Sequence, residues 1–217
     1  MPRPARIVVP GLAHHVVQRG NRRQPIFFDD ADRRAYVRLL ARACSRERTV
    51  CLAWCLMDNH VHLILVPAHP DGLRAPLASV HTTYSQRINR ALQASGHLFQ
   101  GRFASYPMDH AHLMAAVRYV ENNPVAARMV RRAEDWPWSS ARAHLGYGDD
   151  GLTHLAALGR HVANWRAMLE RGLEAADEGE GIEGALRAGR PLGAIPGAVA
   201  LPRRGRPPKH AGLLARK

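Results

Sequence analysis

Acidic residues are scarce in this chain. Its 217 residues hold 18 Asp and Glu against 31 Lys and Arg, a net charge of +13. The shortage argues against a metal-dependent hydrolase with an acid-rich site, since the acids near the candidate motifs are only Asp58 and Glu121. The cationic surplus favours a polyanion, and nucleic acid is the commonest polyanion for a soluble chain. Cysteine is also sparse. Cys44, Cys51 and Cys55 form an odd set that suits a reducing compartment rather than a disulfide framework. Cys51 and Cys55 lie an even number of residues apart in an apolar strand, which predicts that both face one packed layer as core. No apolar run is long enough to span a bilayer. The start, Met1-Pro2-Arg3-Pro4-Ala5-Arg6, leads into too short an apolar stretch for a signal peptide. The expected location is therefore cytoplasmic, with no membrane contact. No internal repeat is present.

Turn signals and apolar periodicity divide the rest. Ala13 to Arg19 reads as a first strand closed by Gly20-Asn21, and Asp29-Asp30 opens a helix to about Arg46. Val50 to Met57 and His60 to Val66 form a hairpin around Asp58-Asn59. A second helix covers roughly Leu73 to Leu92, with Leu77, Val80, Tyr84 and Ile88 at helical spacing. A loop and short strand follow to Met108, and Asp109 caps a third helix through about Asn122. Pro124 is expected to start another helical segment, which Trp136-Pro137-Trp138-Ser139-Ser140 interrupts, and Val162 to Leu173 reads as a further helix. The order predicts an α+β fold, a ferredoxin-like split βαβ antiparallel sheet with helices on one face. The expected division is a domain over residues 1–148, a helical or loose extension over 149–200, and a disordered basic tail over 201–217. Glu174 to Gly184 reads as a loose spacer or frayed helix.

The chemistry concentrates in His60-Val61-His62. Alternate residues on a strand share a face, so the two imidazoles emerge side by side within reach of one divalent cation. Two ligands are too few for a catalytic site. Tyr119 and Asn123 lie four residues apart late in the third helix, where a phenol and a carboxamide can look into one cleft. An amide oxygen could complete a His-His-amide set around Mg²⁺ or Mn²⁺. The phenol, one turn away, could attack a phosphate that the metal polarises. Each member has a plainer reading: structural histidines, a core tyrosine, an Asn-Pro cap. The conjunction carries more than any member.

At these positions the sequence resembles a known family. His60-Val61-His62 is similar to the metal motif of the HUH endonucleases. Arg118-Tyr119-Val120-Glu121-Asn122-Asn123-Pro124-Val125 resembles the helix of single-tyrosine transposases. Gly20-Asn21-Arg22-Arg23 and Trp136-Pro137-Trp138-Ser139-Ser140 resemble the branch called REP-associated tyrosine transposases, within the insertion-sequence-200-like family. The resemblance covers roughly residues 5–145; beyond that, Gly189-Arg190-Pro191-Leu192-Gly193 is the main match. It implies a nucleophile at Tyr119, metal ligands at His60 and His62, and a polar third ligand at Asn123, where better-known members have glutamine. The implied reaction is cleavage and rejoining of single-stranded DNA beside hairpin (REP-like) sequences, through a 5′-phosphotyrosine. The implied cofactor is Mg²⁺ or Mn²⁺.

Arg19, Asn21, Arg22 and Arg23 form a cationic loop that can bind phosphate and base edges, and Arg87, Arg90 and Arg102 could extend the track. The resemblance implies that the loop reads a short guide sequence beside the hairpin. Arg204-Gly205-Arg206-Pro207 resembles the core of an AT-hook, with a nonspecific basic tail as the alternative for Arg204 and Arg206. The protein is expected as a monomer or homodimer. A hairpin-binding regulator with the same fold and no catalysis is the alternative function; a replication initiator or relaxase would need more chain.

Overall fold

The structure is a computed structural model that describes residues 7–158, 162–174, 181–184, 191–193 and 195. Its strands are β1 (His14–Arg19), β2 (Val50–Met57), β3 (His60–Val66) and β4 (Ala104–Pro107), in one sheet ordered β2-β3-β1-β4. β3 lies antiparallel between β1 and β2, so those two run parallel with β3 inserted. β4 pairs antiparallel with the other edge of β1. This is the split βαβ order that the sequence predicts.

Helices α1 (Asp30–Arg46) and α2 (Arg74–Ala91) cover one face. α1 starts where Asp29 accepts the Asp32 amide at 2.7 Å, a side-chain N-cap. Tyr36, Leu40, Leu77 and Tyr84 pack there against Val16, Leu56, Leu63 and Leu65. The opposite face is covered as well, which the expectation of helices on one face missed. α3 (His110–Ala126) lays Leu113, Ala116, Val117 and Val120 over Cys55, Met57 and Ile64. Short helices α4 (Ala141–His144) and α5 (Leu155–Leu158) follow, and Met168 and Leu169 of α6 (Trp165–Glu174) join the same core. β2 and β3 are almost continuously apolar, and a strand buried on both sides needs a second layer.

Two local expectations are corrected. Pro124 lies inside α3 and does not begin a new segment. Proline deletes one helical hydrogen bond, but here it falls in the last turn and is buried, so packing outweighs the loss. Asn123 therefore keeps its place one turn after Tyr119, its carbonyl accepting the Ala127 amide at 2.9 Å. Cys51 and Cys55 are core residues as expected, yet they belong to opposite layers. A register shift between Cys51 and Ala53 inserts one residue and inverts the parity of the strand. Burial pushes the Cys44 thiol up to about 12 and raises those of Cys51 and Cys55 well above the ordinary range. All three are inert packing groups.

Trp136 to Ser140 closes the exposed edge of β2. Leu56 donates its amide to the Trp138 carbonyl at 2.8 Å, Ser140 donates to the Trp54 carbonyl at 3.0 Å, and the Trp136 indole donates to the Leu56 carbonyl at 3.2 Å. An edge strand covered this way offers no template to another chain. The same segment anchors α3. Glu121 is fully buried and accepts from Ser140 Oγ at 2.5 Å, His144 Nδ1 at 2.6 Å and Trp165 Nε1 at 2.8 Å. It therefore faces away from the Tyr119 side of the helix and ties α3 to α4 and α6. Glu121→Ala removes the acceptor shared by these donors, strands those of His144 and Trp165, and is expected to cost about 3–5 kcal/mol in urea unfolding. A loss below ~1 kcal/mol would show that the network does not hold α3 in place. Among the described residues, no helix is long and apolar enough to cross a membrane.

Candidate active site

His60 and His62 point from β3 toward α3, their ring centroids 4.8 Å apart. The register of β1 against β3 places Arg19 opposite His60 and Val17 opposite His62. Each ring is gripped at Nδ1: His60 by Asn59 Oδ1 at 2.6 Å, and His62 by His15 Nε2 at 2.9 Å. That leaves Nε2 as the nitrogen each ring can offer a ligand. Burial, followed by the Arg19 charge, holds His60 down at about 4. Burial acts first on His62 too, with His15, His60 and Arg19 adding to it, and keeps it well below the ordinary range. Both rings are thus neutral near pH 7, the form that binds metal.

Tyr119 stands edge-on to His62, at 5.7 Å between centroids and an angle of 88°. It also meets His15, at 5.9 Å and 69°. Asn123 follows one helical turn later. His60, His62, Tyr119 and Asn123 all line one cleft of about 980 Å³, together with Arg19, Arg23 and Arg102. The helix spacing and the strand alternation thus converge, because α3 packs over β2 and β3 on the face that carries His60 and His62.

Among the described residues, no group of three or more His, Cys, Asp or Glu is placed to hold a metal ion without other donors. A divalent cation nonetheless fits the donors present: two neutral imidazole nitrogens and an amide oxygen, with substrate phosphate able to supply the missing negative charge.

The remaining sequence-predicted residues fall into three groups. Arg19, Arg23 and Arg102 line the cleft itself. Asn21 borders a neighbouring groove of about 940 Å³ along α2, which shares Gln18, Gln100, Gly101 and Arg102 with the cleft. Arg22 is exposed in the same loop. Arg87 is turned to α1, where it pairs with Asp32 at 3.3 Å, and Arg90 is exposed in the last turn of α2. Arg204 and Arg206 lie outside the described residues, as does the rest of the tail.

Three residues went unnoticed in the sequence. His15 is fully buried behind His62, and its Nδ1 has no hydrogen-bond partner among the described residues. Burial lowers its pKa to about 3. Asn59 reads as a plain turn residue until its bond to His60 is seen. Glu183 falls in what looks like a loose spacer, yet Ile182 packs into the core beside α3 and Glu183 lines the cleft. The alternation of His15, Val17 and Arg19 on one strand face was the available signal for the first. Pairing register and chain folding supply the others, and neither is written locally.

Other tyrosines are placed differently. Tyr84 is fully buried and donates its hydroxyl to the Ile26 carbonyl at 2.6 Å. Tyr36 shares a hydrogen bond with His81 Nε2 at 3.0 Å. Among the described residues, Tyr106 is the other tyrosine at the cleft, half-buried on β4, with its pKa raised by burial.

Comparison with known proteins agrees with this architecture. A solved REP-associated tyrosine transposase bound to a REP hairpin superposes with a TM-score of 0.57 at 18% identity, covering 71% of this chain and 90% of that one. A candidate transposase from Deinococcus radiodurans R1 gives a TM-score of 0.39 at 21% identity, over 56% of this chain and 97% of the other. No match was found among curated protein sequences. The model of the IS200-like transposase family matches residues 8–123, from before β1 through Asn123. That span is more than half of the sequence, and the chain belongs to the IS200-like transposase family.

Proposed function

We propose that the protein cleaves and rejoins single-stranded DNA beside a hairpin through a 5′-phosphotyrosine at Tyr119. His60, His62 and Asn123 would hold a Mg²⁺ or Mn²⁺ ion. The observation that carries this reading is the convergence of those four side chains in one cationic cleft. The relative of similar fold was solved with a REP hairpin, which supports hairpin-bearing DNA as the substrate class.

In the first step the Tyr119 oxygen forms a bond to a DNA phosphorus and the bond from that phosphorus to the 3′-oxygen breaks. The phenol proton passes to solvent and the leaving oxygen ends as a 3′-hydroxyl. A second 3′-hydroxyl then attacks the phosphotyrosine, restores the phosphodiester and returns the phenol. One phosphodiester is exchanged for another, so no nucleotide cofactor is consumed. A bound divalent cation supplies Lewis-acid polarisation of the phosphoryl oxygen. His60 and His62 stay neutral and hold their ring orientation through Asn59 and His15. Arg19, Arg23 and Arg102 bind the strand's phosphates along the cleft, and Asn21 and Arg22 extend that contact into the groove by α2. Arg87 and Arg90 contribute to the field at longer range, and Arg204 and Arg206 add a tethered basic segment.

The test is incubation with single-stranded hairpin oligonucleotides in Mn²⁺, followed by denaturing electrophoresis. A protein–DNA adduct that survives denaturation is expected. Tight hairpin binding with no adduct under any divalent cation would instead identify a non-catalytic hairpin-binding regulator. Deleting residues 201–217 is expected to flatten the salt dependence of affinity, by about 0.7–0.9 in log–log slope for each phosphate that the tail neutralises. An unchanged slope, read by fluorescence anisotropy across a salt series, would remove the tail from the interface.

A further inference from the structure

We propose that Asn59 is a positioning residue that joins the arginine loop to the metal pair, setting the tautomer of His60 from the backbone of Arg23. This inference rests on the reading of His60 as a metal ligand.

Asn59 sits in the turn between β2 and β3 and bonds in three directions. Its backbone carbonyl accepts the Gly20 amide at 2.8 Å. Its Nδ2 donates to the Arg23 carbonyl at 2.9 Å, and its Oδ1 pairs with His60 Nδ1 at 2.6 Å. A carboxamide donates only through nitrogen and accepts only through oxygen. The Arg23 carbonyl is purely an acceptor, so it decides which end of the amide faces the loop. Oδ1 is then the end that faces His60, and an acceptor there requires the proton on Nδ1. The neutral ring consequently carries its lone pair on Nε2, the tautomer that can bind a cation. Reversing the amide would set two acceptors against each other at Arg23. The same reversal would favour the wrong imidazole tautomer.

The loop end of this chain is itself tightly determined. A Cβ on Gly20 would lie 2.2 Å from the Gln24 carbonyl and 2.8 Å from Ile26 Cγ2, so only glycine admits the close turn. Arg22 and Arg23 follow with φ of 53° and 61°, in the left-handed region that side chains disfavour. Asn59 grips this strained turn at both ends, at Gly20 through its backbone and at Arg23 through its side chain. The Arg23 side chain meanwhile lines the cleft. One residue thus carries the link from a phosphate-binding arginine to the ligand it stands beside, and disturbing either end disturbs the other.

Two substitutions separate the two arms, each in the full-length protein. Asn59→Ala removes both bonds. Asn59→Asp keeps an acceptor for His60 Nδ1 but cannot donate to the Arg23 carbonyl. Mn²⁺ affinity is read from the free-ion electron paramagnetic resonance signal without DNA. Hairpin affinity is read by anisotropy in EDTA, and thermal melting reports the fold. Asn59→Ala is expected to weaken Mn²⁺ binding about 10–100-fold and to weaken metal-free hairpin binding roughly threefold to tenfold. Asn59→Asp is expected to keep Mn²⁺ affinity at or above that of the unsubstituted protein while losing hairpin affinity. Because the alanine variant introduces no charge, its loss of hairpin affinity is not simple repulsion. Unchanged Mn²⁺ affinity in Asn59→Ala would overturn the positioning of His60. Unchanged hairpin affinity in both variants would overturn the link to the loop. If the unsubstituted protein shows no saturable Mn²⁺ site, or His60→Ala binds Mn²⁺ equally well, the metal reading itself fails, a result distinct from either.

Discussion

Tyr119→Phe is expected to eliminate the denaturant-resistant adduct with cleaved DNA while leaving hairpin binding largely intact. The substitution removes one oxygen and keeps the ring, so the edge-on packing against His62 and His15 persists. Without the Tyr119 hydroxyl the covalent step loses its proposed nucleophile, and strand transfer should fall by about 10⁴-fold or more. The informative control is Tyr106→Phe, because Tyr106 shares the cleft and competes on position alone. It sits on a strand with its hydroxyl held toward the neutral form by burial, and no carboxamide follows it at helical spacing. Adduct formation should survive in Tyr106→Phe, and equally in Tyr84→Phe, whose hydroxyl already serves the Ile26 carbonyl. An adduct that persisted in Tyr119→Phe and vanished in Tyr106→Phe would move the nucleophile from α3 to β4.

The paired substitution His60→Ala with His62→Ala is expected to abolish cleavage, with EDTA reproducing the effect on the unsubstituted protein. Both rings are neutral, so removing them leaves the charge of the cleft unchanged. Hairpin affinity in EDTA should therefore stay close to that of the parent, while adduct yield in Mn²⁺ falls by about 10³-fold or more. Stability will not be wholly spared. His62 is almost fully buried and its loss leaves His15 Nε2 without a partner, a penalty of about 1–3 kcal/mol. His60→Ala alone separates the two effects, since it is less buried and its Nδ1 partner, Asn59, lies at the protein surface side of the turn. Cleavage that continued in EDTA or in the double variant would return both histidines to a packing role.

Much of the fold was readable because it is carried by strong local signals. The bounds of β2 and β3 follow from apolar runs broken at Asp58-Asn59, and the capping aspartates Asp29 and Asp109 mark helix starts. Pro124 misled because its local preference was outweighed by packing of the last turn of α3. The parity of Cys51 and Cys55 misled because a bulge, a property of two paired strands, reverses the face of every residue beyond it. The second helical layer was missed for a related reason: apolar residues on both faces of β2 show that two layers exist, but not which helix fills each.

The candidate site divides along the same line. His60 with His62, and Tyr119 with Asn123, are each legible as pairs because strand alternation and the helical turn are short-range periodicities. Their meeting in one cleft depends on the crossing of α3 over the sheet, and the roles of His15, Asn59 and Glu183 depend on contacts between distant segments. Residue chemistry and spacing were enough to single out the His60–His62 pair, the Tyr119 phenol and the cationic surplus. Which nitrogen each histidine presents, and that Arg87 is turned to Asp32 while Arg19, Arg23 and Arg102 line the cleft, are decided by contacts that only folding brings within hydrogen-bonding range.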